Sequence, residues 1–542
     1  MPCALTFEIV EQRGLTAELE LALEIGDPPV PAPASAPAPA PDPKECGLVM
    51  LAEAGFPVLG DIPRAGLPSH GDPRWQFREA GEAPDSWWPE EDLHPPAVGR
   101  AAEGLFELAV SQATQRVLTR GHPWILRDAQ TGDCSGLLPG TLVRVVGPKR
   151  ESLGLARVEG ARSLVARMWA ERAGRDAKAP SVEARVARAL KRRRGLLHPA
   201  AGEPRTDAFR LVHGEADALP GIAVDRLGSL LRVLVTGRCC DPLRPRLLDA
   251  LVGGLAEQIG PDPSVVEVLH LREQPRGRLE CVRLVRGAQP APWNGGASPE
   301  ASESPEASES PEASEKDRRI VVHELGLAYL VDPGLGEPER SSPGIGLFLD
   351  QRENRRRLME RARGGGHWLN LFAHTGAFSV ALLAAGADRV TSVDLSAGYL
   401  RWLEENLALN RDRGDLARRH RGVRGDGRRF LARLAPHERF EGIILDPPTA
   451  AAAGRRFWSV ARDLRPLVEG ALTHLQPGGV LLVSRNDRRG KQGLEEVVES
   501  AARSAGVAIE IVGEAPAGSD FPRLVGFDEG EPFKAVLVRR RS

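Results

Sequence analysis

The chain contains 542 residues, of which 42% are hydrophobic, and carries a formal net charge of −2, so several globular domains of about 100–200 residues each are expected. No run of about 18 apolar residues occurs and no basic segment precedes an apolar core at the N-terminus, so neither a membrane span nor a signal peptide is predicted. The six cysteines form no CxxC pair and none follows Cys281, which argues against a metal site or a disulfide framework and predicts a cytoplasmic protein.

The charge is distributed unevenly along the chain. Residues 101–200 hold 18 Lys and Arg but only 9 Asp and Glu. Such a local basic excess suggests an anionic partner such as nucleic acid. A solvated, arginine-rich surface explains the same composition equally well.

Two segments have the composition of linkers. Residues 28–43 read PPVPAPASAPAPAPDP, and their Pro and Ala content predicts an extended, semi-rigid spacer. Residues 298–315 repeat SPEASE three times. Low hydrophobicity and negative charge predict disorder for the repeats, which mark the clearest domain boundary in the chain.

The region between the two linkers has the pattern of a small β-barrel followed by an α+β unit. Residues 112–170 contain four short strand-like stretches with Gly and Pro punctuation, namely RGHPWILRD, GTLVRVVG, GLARVEG and LVARMW. Residues 181–197 predict a helix whose apolar face holds Val182, Val186, Ala189 and Leu190. Residues 209–237 then predict a strand, a turn and two more strands.

The region after the repeats alternates between strand and helix. Apolar runs ending in polar residues, such as HWLNLFA, RVTSVDLS, EGIILDPPT and GGVLLVSRND, are separated by helical patterns and by one irregular basic stretch. This βαβ spacing predicts a parallel, doubly wound sheet.

Acidic and glycine-rich positions follow the strands of the predicted sheet, where ligands of such folds bind. Asp394 closes the second strand, 18 residues after Gly376, and a carboxylate there suits two ribose hydroxyls. Asp426 is placed to accept from an adenine amine, and Gly376 would let the backbone approach the ligand. An aspartate at one strand end is often only a turn or helix cap. Four acidic or glycine-rich strand ends in order are a more specific indication of a ligand site.

The ligand expected at this edge is a nucleoside without a pyrophosphate. The chain has no GxxxxGK[ST] sequence, and HTGAF lacks the three spaced glycines of a dinucleotide site. S-adenosylmethionine meets these requirements.

Residues 317–542 resemble the catalytic domain of class I S-adenosylmethionine-dependent rRNA methyltransferases. The matching motifs are GLFLDQRENRR, LNLFAHTGAFSVALLAAGA, VDLSAGYLRWLEENLALN, GDGRRFL, ILDPPT and LQPGGVLLVSRNDRRG. The resemblance implies a Rossmann-like α/β doubly wound sheet, S-adenosylmethionine as cofactor, and large-subunit rRNA or a pre-ribosomal particle as partner. It is compatible with a homodimer.

The upstream segments resemble other RNA-modifying proteins. RGHPWIL and the following strands resemble a PUA RNA-binding domain, and FRLVHGEADALPGIAVDRLG resembles the middle domain of PUA-containing large-subunit rRNA methyltransferases. Residues 4–26 and 46–66 resemble C-terminal strands of RNA pseudouridine synthases, but no HRLD catalytic motif occurs. This N-terminal piece is interpreted as a non-catalytic remnant or accessory module or, equally, as a small β-hairpin without a role.

These resemblances divide the chain into six expected segments. They are a pseudouridine-synthase-like remnant (1–66), a connection (67–110), a PUA-like barrel (111–175), an α+β middle domain (176–290), a disordered linker (291–316) and the methyltransferase domain (317–542).

The resemblance also assigns roles to individual residues. The expected catalytic corner is Asp446, Pro447, Pro448 and Thr449. The expected cofactor-binding residues are Asn370, Phe372, Thr375, Gly376, Asp394, Asp426 and Asp446. The expected RNA-binding residues are Arg352, Arg355, Arg356 and Asn486, although an exposed helix face is the plainer explanation of the three arginines.

The residues at and near this corner limit which atom of an RNA base can accept the methyl group. PUA-containing rRNA enzymes of this architecture methylate cytosine C5 through a Cys thiolate near the final strand, in an SCS-like stretch. This chain reads VSRND there, Ser484–Asp487, and has no Cys in residues 282–542, which argues against cytosine C5.

DPPT and SRNDRRG instead resemble rRNA guanine-N7 methyltransferases. Guanine N7 is already nucleophilic and needs alignment rather than a base. Guanine N2 is the near alternative, with Asp446 as the proton acceptor, but that class more often reads NPPY with a stacking aromatic ring. Phe457 or Trp458 would have to stack here, unless they are core residues.

Two further functions compete with RNA methylation. A non-catalytic RNA-binding or ribosome-assembly protein is suggested by SSPGIG in place of a GQKTG-like run and by the plain AAAAG loop. Methylation of a small molecule is disfavoured by the PUA-like strands and the basic region.

Overall fold

The computed structural model describes residues 105–542, except 135, 161–162, 172–179, 275–276, 289–317, 335–344, 449, 454–455, 487–492 and 531–532, together with three strands nearer the N-terminus. Those strands are β1 (Ala4–Arg13), β2 (Thr16–Glu24) and β3 (Phe77–Glu79), in the order β1-β2-β3. The second synthase-like stretch at 46–66, the Pro/Ala linker and the SPEASE repeats lie outside the described residues.

The basic region between residues 105 and 171 forms a five-stranded sheet of order β4-β6-β7-β8-β5. Its strands are β4 (Phe106–Ala109), β5 (Trp124–Leu126), β6 (Leu142–Val146), β7 (Ser152–Val158) and β8 (Leu164–Glu171). The four strands predicted from the sequence are confirmed as β5 to β8. Helix α1 (Gln112–Thr119) was not predicted, and strand β4 begins before the expected boundary at 111.

The next unit is a second five-stranded sheet, in the order β13-β12-β11-β10-β9, with three helices. The strands are β9 (Ala208–His213), β10 (Ile222–Leu227), β11 (Leu230–Val235), β12 (Val265–Gln274) and β13 (Gly277–Arg286). The helices are α2 (Val182–Arg192), α3 (Arg194–Leu197) and α4 (Arg244–Ile259). The four apolar residues predicted for the face of α2 are all buried, because that face packs on the sheet.

The C-terminal unit begins with a hairpin and continues as a seven-stranded sheet of order β18-β17-β16-β19-β22-β24-β23. The hairpin is β14 (Ile320–Glu324) and β15 (Leu327–Val331), and β20 (Ala450–Ala453) pairs with β21 (Arg456–Ser459) in a second hairpin. The sheet strands are β16 (His367–Leu371), β17 (Arg389–Asp394), β18 (His420–Arg424), β19 (Phe440–Leu445), β22 (Leu475–Asn486), β23 (Ile509–Glu514) and β24 (Phe533–Arg540). The helices are α5 (Arg352–Ala362), α6 (Ala377–Ala385), α7 (Ala397–Leu409), α8 (Gly427–Leu431), α9 (Val460–Thr473) and α10 (Leu494–Ala505).

This sheet is doubly wound, as the alternation of strand and helix predicts. Strands β18, β17, β16, β19 and β22 are parallel, whereas β24 runs antiparallel to both of its neighbours. Apolar residues of α5, α6 and α7 belong to the core on one face, and those of α8, α9 and α10 to the core on the other. Two covered faces explain why the central strands are continuously apolar.

One strand was missed by the sequence analysis. The irregular basic stretch between α7 and α8 contains β18, which forms the sheet edge beside β17. Its sequence is HRGVR and none of its residues is fully buried. An exposed edge strand lacks the apolar alternation on which strand prediction depends.

A buried aspartate ties the middle unit to the C-terminal unit. Asp520 has 0% exposure, and its carboxylate accepts from Arg352 Nη2 at 2.5 Å and from the backbone N–H of Arg210 at 3.0 Å. Its carbonyl accepts from Arg193 Nη2 at 2.6 Å. The segment after β23 is therefore held between helix α5 and strand β9.

Two features are absent from the part of the chain that the structure describes. No helix there is long and apolar enough to cross a membrane. No group of three or more His, Cys, Asp or Glu side chains in the same part of the chain is placed to hold a metal ion.

Candidate active site

The carboxyl ends of the parallel strands meet where the strand order reverses. The chain leaves β16 toward β17 and β18 on one side and returns to β19 on the other. Asp394 is the last residue of β17, and the loops after β16, β18 and β19 carry residues 372–376, Asp426 and Asp446. The structure thus brings the four predicted strand ends to one edge of the sheet, at the position where doubly wound folds bind ligands.

The loop between β16 and α6 has an unusual backbone. Phe372 and His374 have φ angles of 60° and 51°, which non-glycine residues seldom adopt. Gly376 has φ of 79°, and a Cβ at this position would lie 2.1 Å from Leu403 Cγ. The glycine is therefore required by the close packing of α7 behind the loop.

Two of the predicted cofactor residues have their side chains engaged inside the protein. Asn370 is 2% exposed and donates to Ser379 Oγ at 2.9 Å. Thr375 is buried and its hydroxyl donates to the carbonyl of Gly346. Their side chains hold the loop in shape, so any direct contact with the cofactor would come from the backbone.

Asp394 is presented with spare hydrogen-bonding capacity. Its Oδ2 accepts from the backbone N–H of His374 at 2.9 Å, and its Oδ1 accepts from that of Ser396 at 2.8 Å. Each oxygen keeps a further lone pair, and the side chain is only partly buried. The carboxylate is fixed in orientation and can still accept from two hydroxyl groups.

The Asp426 carboxylate accepts more hydrogen bonds from the protein than Asp394 does. It caps α8 by accepting from the backbone N–H groups of Arg428 and Arg429 at 2.9 and 3.2 Å. Its Oδ2 pairs with the Arg428 guanidinium at 2.9 Å. These interactions, first the hydrogen bond from Arg428, lower the pKa of Asp426. The residue thus has the cap role that the sequence analysis weighed as an alternative, and its contact with adenine stays a prediction.

Asp446 stands at the end of a buried chain of polar side chains. Ser484 Oγ lies 2.6 Å from Asp446 Oδ1, and Gln351 Nε2 lies 3.1 Å from Ser484 Oγ. Gln351 Oε1 lies 2.8 Å from Asn354 Nδ2, which also donates to the carbonyl of Ala515 at 3.1 Å. The chain links the start of α5 to the ends of β22 and β19.

The direction of every bond in this chain follows from its far end. Arg357 can only donate, and its Nη1 lies 2.8 Å from Asn354 Oδ1. The Asn354 amide N–H therefore points to Gln351 Oε1, and the Gln351 N–H points to Ser484. Two acceptors then lie within reach of the Ser484 hydroxyl, Asp446 Oδ1 at 2.6 Å and the Leu445 carbonyl at 3.3 Å. The shorter bond goes to Asp446, which is thereby held as an acceptor. Burial nevertheless raises the pKa of Asp446 above its ordinary value.

A second carboxylate beside Asp446 was missed by the sequence analysis. Asp350 lies in the single turn that precedes α5, within the motif GLFLDQRENRR. Burial, and next the negative charge of Asp446, raise the pKa of Asp350 to about 6, against the lowering effects of Arg210 and Arg355. The only available signal was the density of polar residues in LDQRENRR, which is high for a segment flanked by apolar residues.

The corner itself is fixed by a tryptophan. Pro447 is buried and Pro448 is exposed, and the carbonyl of Pro448 accepts from Trp458 Nε1 at 2.7 Å. Trp458 is 2% exposed and contacts Phe372, with ring centroids 5.4 Å apart. The idea that Trp458 stacks on the substrate is therefore wrong, because its ring is in the core. Thr449 and the Phe457 side chain lie outside the described residues.

Two of the arginines expected to bind RNA are buried in ion pairs. Arg352 pairs with Asp520, and Arg355 Nε lies 2.5 Å from Glu324 Oε1 with 1% and 0% of the two side chains exposed. This corrects the expectation for Arg352 and Arg355, whose guanidinium groups are structural. Arg356 is half exposed beside Glu353 and Glu360, and Asn486 is exposed at the end of β22, so their RNA contacts stay predictions.

Comparison with known proteins gives the family. Residues 315–539 match the family described as S-adenosylmethionine-dependent methyltransferase. A ribosomal RNA large subunit methyltransferase of Deinococcus radiodurans is 30% identical over 434 residues, which cover 80% of this chain and 97% of that protein. The chain belongs to this methyltransferase family.

Other methyltransferases agree with this assignment. The ribosomal RNA large subunit methyltransferase I of Cronobacter sakazakii is 27% identical, over 78% of this chain and 96% of that protein. A solved structure of a putative methyltransferase complexed with SAH has a TM-score of 0.60 at 19% identity and covers 80% of this chain and 100% of that one. A putative SAM-dependent methyltransferase from Streptococcus mutans gives a TM-score of 0.58 at 19% identity, over 80% of this chain and 100% of that one. The protein is thus a methyltransferase of the class I fold that uses S-adenosylmethionine.

The residues at the strand ends fit this cofactor. The partly buried carboxylate of Asp394, with one acceptor position free on each oxygen, matches the two donors of a ribose diol. The loop of residues 372–376, with its unusual backbone, lies at the same edge. We propose that Asp394 accepts from the two ribose hydroxyls and that the backbone of residues 372–376 approaches the rest of the cofactor.

Asp394→Ala should abolish this ribose contact. We expect the affinity for S-adenosylmethionine to fall at least tenfold, because two hydrogen bonds to a charged group are lost. Isothermal titration calorimetry measures the change. Asp412→Ala, at an exposed surface pair with Arg413, serves as the control. Unchanged affinity for Asp394→Ala would contradict the assignment.

Asp350→Asn should stabilise the protein at neutral pH. The folded-state pKa of Asp350 is raised from 3.8 to about 6, so its ionisation above that pH costs up to about 3 kcal/mol. The cost is absent when the group is protonated in both states, below about pH 4. The melting temperature of Asp350→Asn should therefore exceed that of wild type above pH 7 and converge with it near pH 4. A variant that melts lower at every pH would contradict the assigned burial of charge.

Proposed function

We propose that this protein methylates large-subunit rRNA, at N7 of a guanine, without a covalent enzyme–RNA intermediate. The names of the relatives that match over nearly their whole length support the rRNA substrate. The residues at the catalytic corner support guanine N7 as the atom that accepts the methyl group. A cytoplasmic location follows from an rRNA substrate.

The burial and hydrogen bonding of Ser484 are the main support for an acceptor atom that needs no covalent catalysis. Ser484 lies in the stretch where a thiolate enzyme would place its nucleophile, yet its side chain is 0% exposed and its hydroxyl donates to Asp446. No Cys follows residue 281 in the sequence, and the described cysteines Cys134, Cys239 and Cys240 are buried in the two upstream units. Covalent attack on cytosine C6 has no nucleophile here.

Guanine N7 suits such a corner because it needs no activation. S-adenosylmethionine supplies an activated methyl group. The Asp446 carboxylate, kept as an acceptor by Ser484, lies where the methylated ring would gain positive charge and lowers the energy of that charge. Trp458 and the two prolines keep the corner rigid, which preserves alignment between base and methyl group.

The upstream sheet is proposed as the PUA-like RNA-binding unit. Part of its basic excess is structural, because Arg144 and Arg167 are at most 8% exposed. Other basic side chains of this unit face solvent and are available for phosphate contacts. They include Arg116, Arg120, Lys149 and Arg150.

Guanine N2 is the second candidate, and one observation favours it. Methylation of N2 requires removal of a proton, and Asp350 has a pKa of about 6 beside Asp446, which suits a general base at neutral pH. The N7 and N2 acceptors therefore predict different losses when the carboxylates are neutralised.

Nucleoside mass spectrometry tests the function. Purified protein, S-adenosylmethionine and unmodified large-subunit rRNA, free or in assembled subunits, would be incubated and the RNA digested. We expect a 7-methylguanosine product that falls at least a hundredfold for Asp446→Asn, because the carboxylate that stabilises the product charge is lost. Asp415→Asn, at an exposed surface pair with Arg418, is the matched control.

Each other product points to a different acceptor. An N2-methylguanosine product would transfer the proposal to the second candidate. 5-Methylcytidine would contradict the argument from Ser484. The absence of any methylated nucleoside, with cofactor binding intact, would contradict an rRNA substrate and favour a non-catalytic role.

A further inference from the structure

An exposed aromatic ring lies beside the loop between β16 and α6. Phe348 is 46% exposed, whereas its neighbours Leu347 and Leu349 are 3% and 5% exposed. It directly precedes the turn that carries Asp350. Exposing a phenylalanine between two buried leucines costs apolar burial, and nothing in the fold of this segment requires it.

The exposed ring is held in a fixed position. The carbonyl of Phe348 accepts from Arg355 Nη2 at 2.7 Å and from the backbone N–H of Gln351 at 3.2 Å. Arg355 is itself locked by its buried pair with Glu324. A ring on such a backbone loses little entropy when a planar ligand stacks on it.

Further rings support Phe348 from behind. Its centroid lies 5.1 Å from that of His374, which lies 4.2 Å from that of Tyr399. Burial lowers the pKa of His374 to about 4, so the imidazole is neutral near pH 7. Phe348, His374 and Tyr399 therefore form an uncharged aromatic surface that continues into the loop of residues 372–376.

A carboxylate without a side-chain partner lies beside this surface. Among the described residues no side chain donates a hydrogen bond to Asp350, although it is only partly exposed. The charges near it are Asp446, Arg210 and Arg355, and each arginine already pairs with another acid, Asp225 and Glu324. The backbone N–H of Asp350 is the donor that lowers its pKa, so its oxygens keep lone pairs that a ligand can use.

We infer that Phe348 and Asp350 bind the target base: the ring stacks on its face, and the carboxylate accepts from two adjacent N–H groups on its edge. Guanine is the RNA base that offers such a pair, N1–H and N2–H, side by side. Adenine, cytosine and uracil alternate donors with acceptors on that edge, so a carboxylate meets at least one acceptor. The inference rests on the proposed methylation of RNA and assigns the specificity for guanine to Asp350.

This placement also separates the two acceptor atoms. N7 lies on the opposite side of the purine from N1 and N2. A guanine held through N1–H and N2–H therefore has its N2 engaged and its N7 free. The base site favours methylation at N7 for this geometric reason.

Binding of short RNA probes tests the inference without methyl transfer. The probes are fluorescent oligouridylates with one central guanosine, inosine or 7-deazaguanosine, and fluorescence anisotropy is measured at pH 7.5 with S-adenosylhomocysteine present. Inosine lacks the N2 amine, and 7-deazaguanosine lacks N7 but keeps both donors. Wild type should bind guanosine and 7-deazaguanosine equally and inosine roughly tenfold more weakly.

Variants of Phe348 and Asp350 test the stacking contact and the carboxylate contact separately. Phe348→Ala should weaken binding of all three probes roughly tenfold, because base stacking is lost, and Phe348→Trp should restore it. Asp350→Asn should weaken guanosine roughly tenfold and remove most of the preference over inosine. Val512→Ala, with 45% exposure on edge strand β23, is the matched control and should bind as wild type does.

Two results would overturn the inference: equal wild-type affinity for guanosine and inosine, or wild-type binding by both Phe348→Ala and Asp350→Asn. Because the assay involves no methylation, it separates this inference from the proposed function. A guanosine preference with N2-methylguanosine as the enzymatic product would refute the N7 acceptor and leave the base site in place.

Discussion

Two buried ion pairs on helix α5 determine the geometry of the catalytic edge. Arg352 pairs with Asp520, and Arg355 pairs with Glu324, with at most 2% exposure of any of the four side chains. Neither arginine can lose its partner cheaply, since an uncompensated buried charge costs several kcal/mol. The first turn of α5, and with it the segment of residues 348–351, is thereby fixed between the middle unit and the sheet.

From this fixed segment a polar chain extends to the reaction centre. Gln351 is oriented by Asn354, Ser484 is oriented by Gln351, and Asp446 receives the Ser484 hydroxyl. In the proposed mechanism Ser484 is a positioning residue and is not a nucleophile. The methyl group is then transferred to an acceptor atom that is nucleophilic without covalent help. The carboxylates at the site carry a cost in stability, which is common where function requires buried charge.

The sequence predicted the parts of this site that depend on local pattern. Apolar runs ending in Asp394 and Asp446 were sufficient to place both residues at strand ends, because parallel buried strands are continuously apolar. Strand β18 escaped prediction since its exposed sequence carries no alternation. The ion-pair partners of the arginines on α5 were not predicted, for another reason. Arg352 and Asp520 are 168 residues apart, and no periodicity indicates which buried acid an arginine will meet. The base-binding role inferred for Phe348 and Asp350 likewise depends on contacts between distant segments.

A trapping experiment tests most directly the claim that methyl transfer proceeds without a covalent intermediate. Large-subunit rRNA transcribed with 5-fluorocytidine would be incubated with the protein and S-adenosylmethionine, and both methyl incorporation and protein–RNA adducts would be measured on denaturing gels. Enzymes that attack cytosine C6 cannot release the fluorinated base and stay bound to it. The account predicts methyl incorporation equal to that in unsubstituted RNA and no adduct. An adduct resistant to denaturation, with methyl transfer halted, would contradict it.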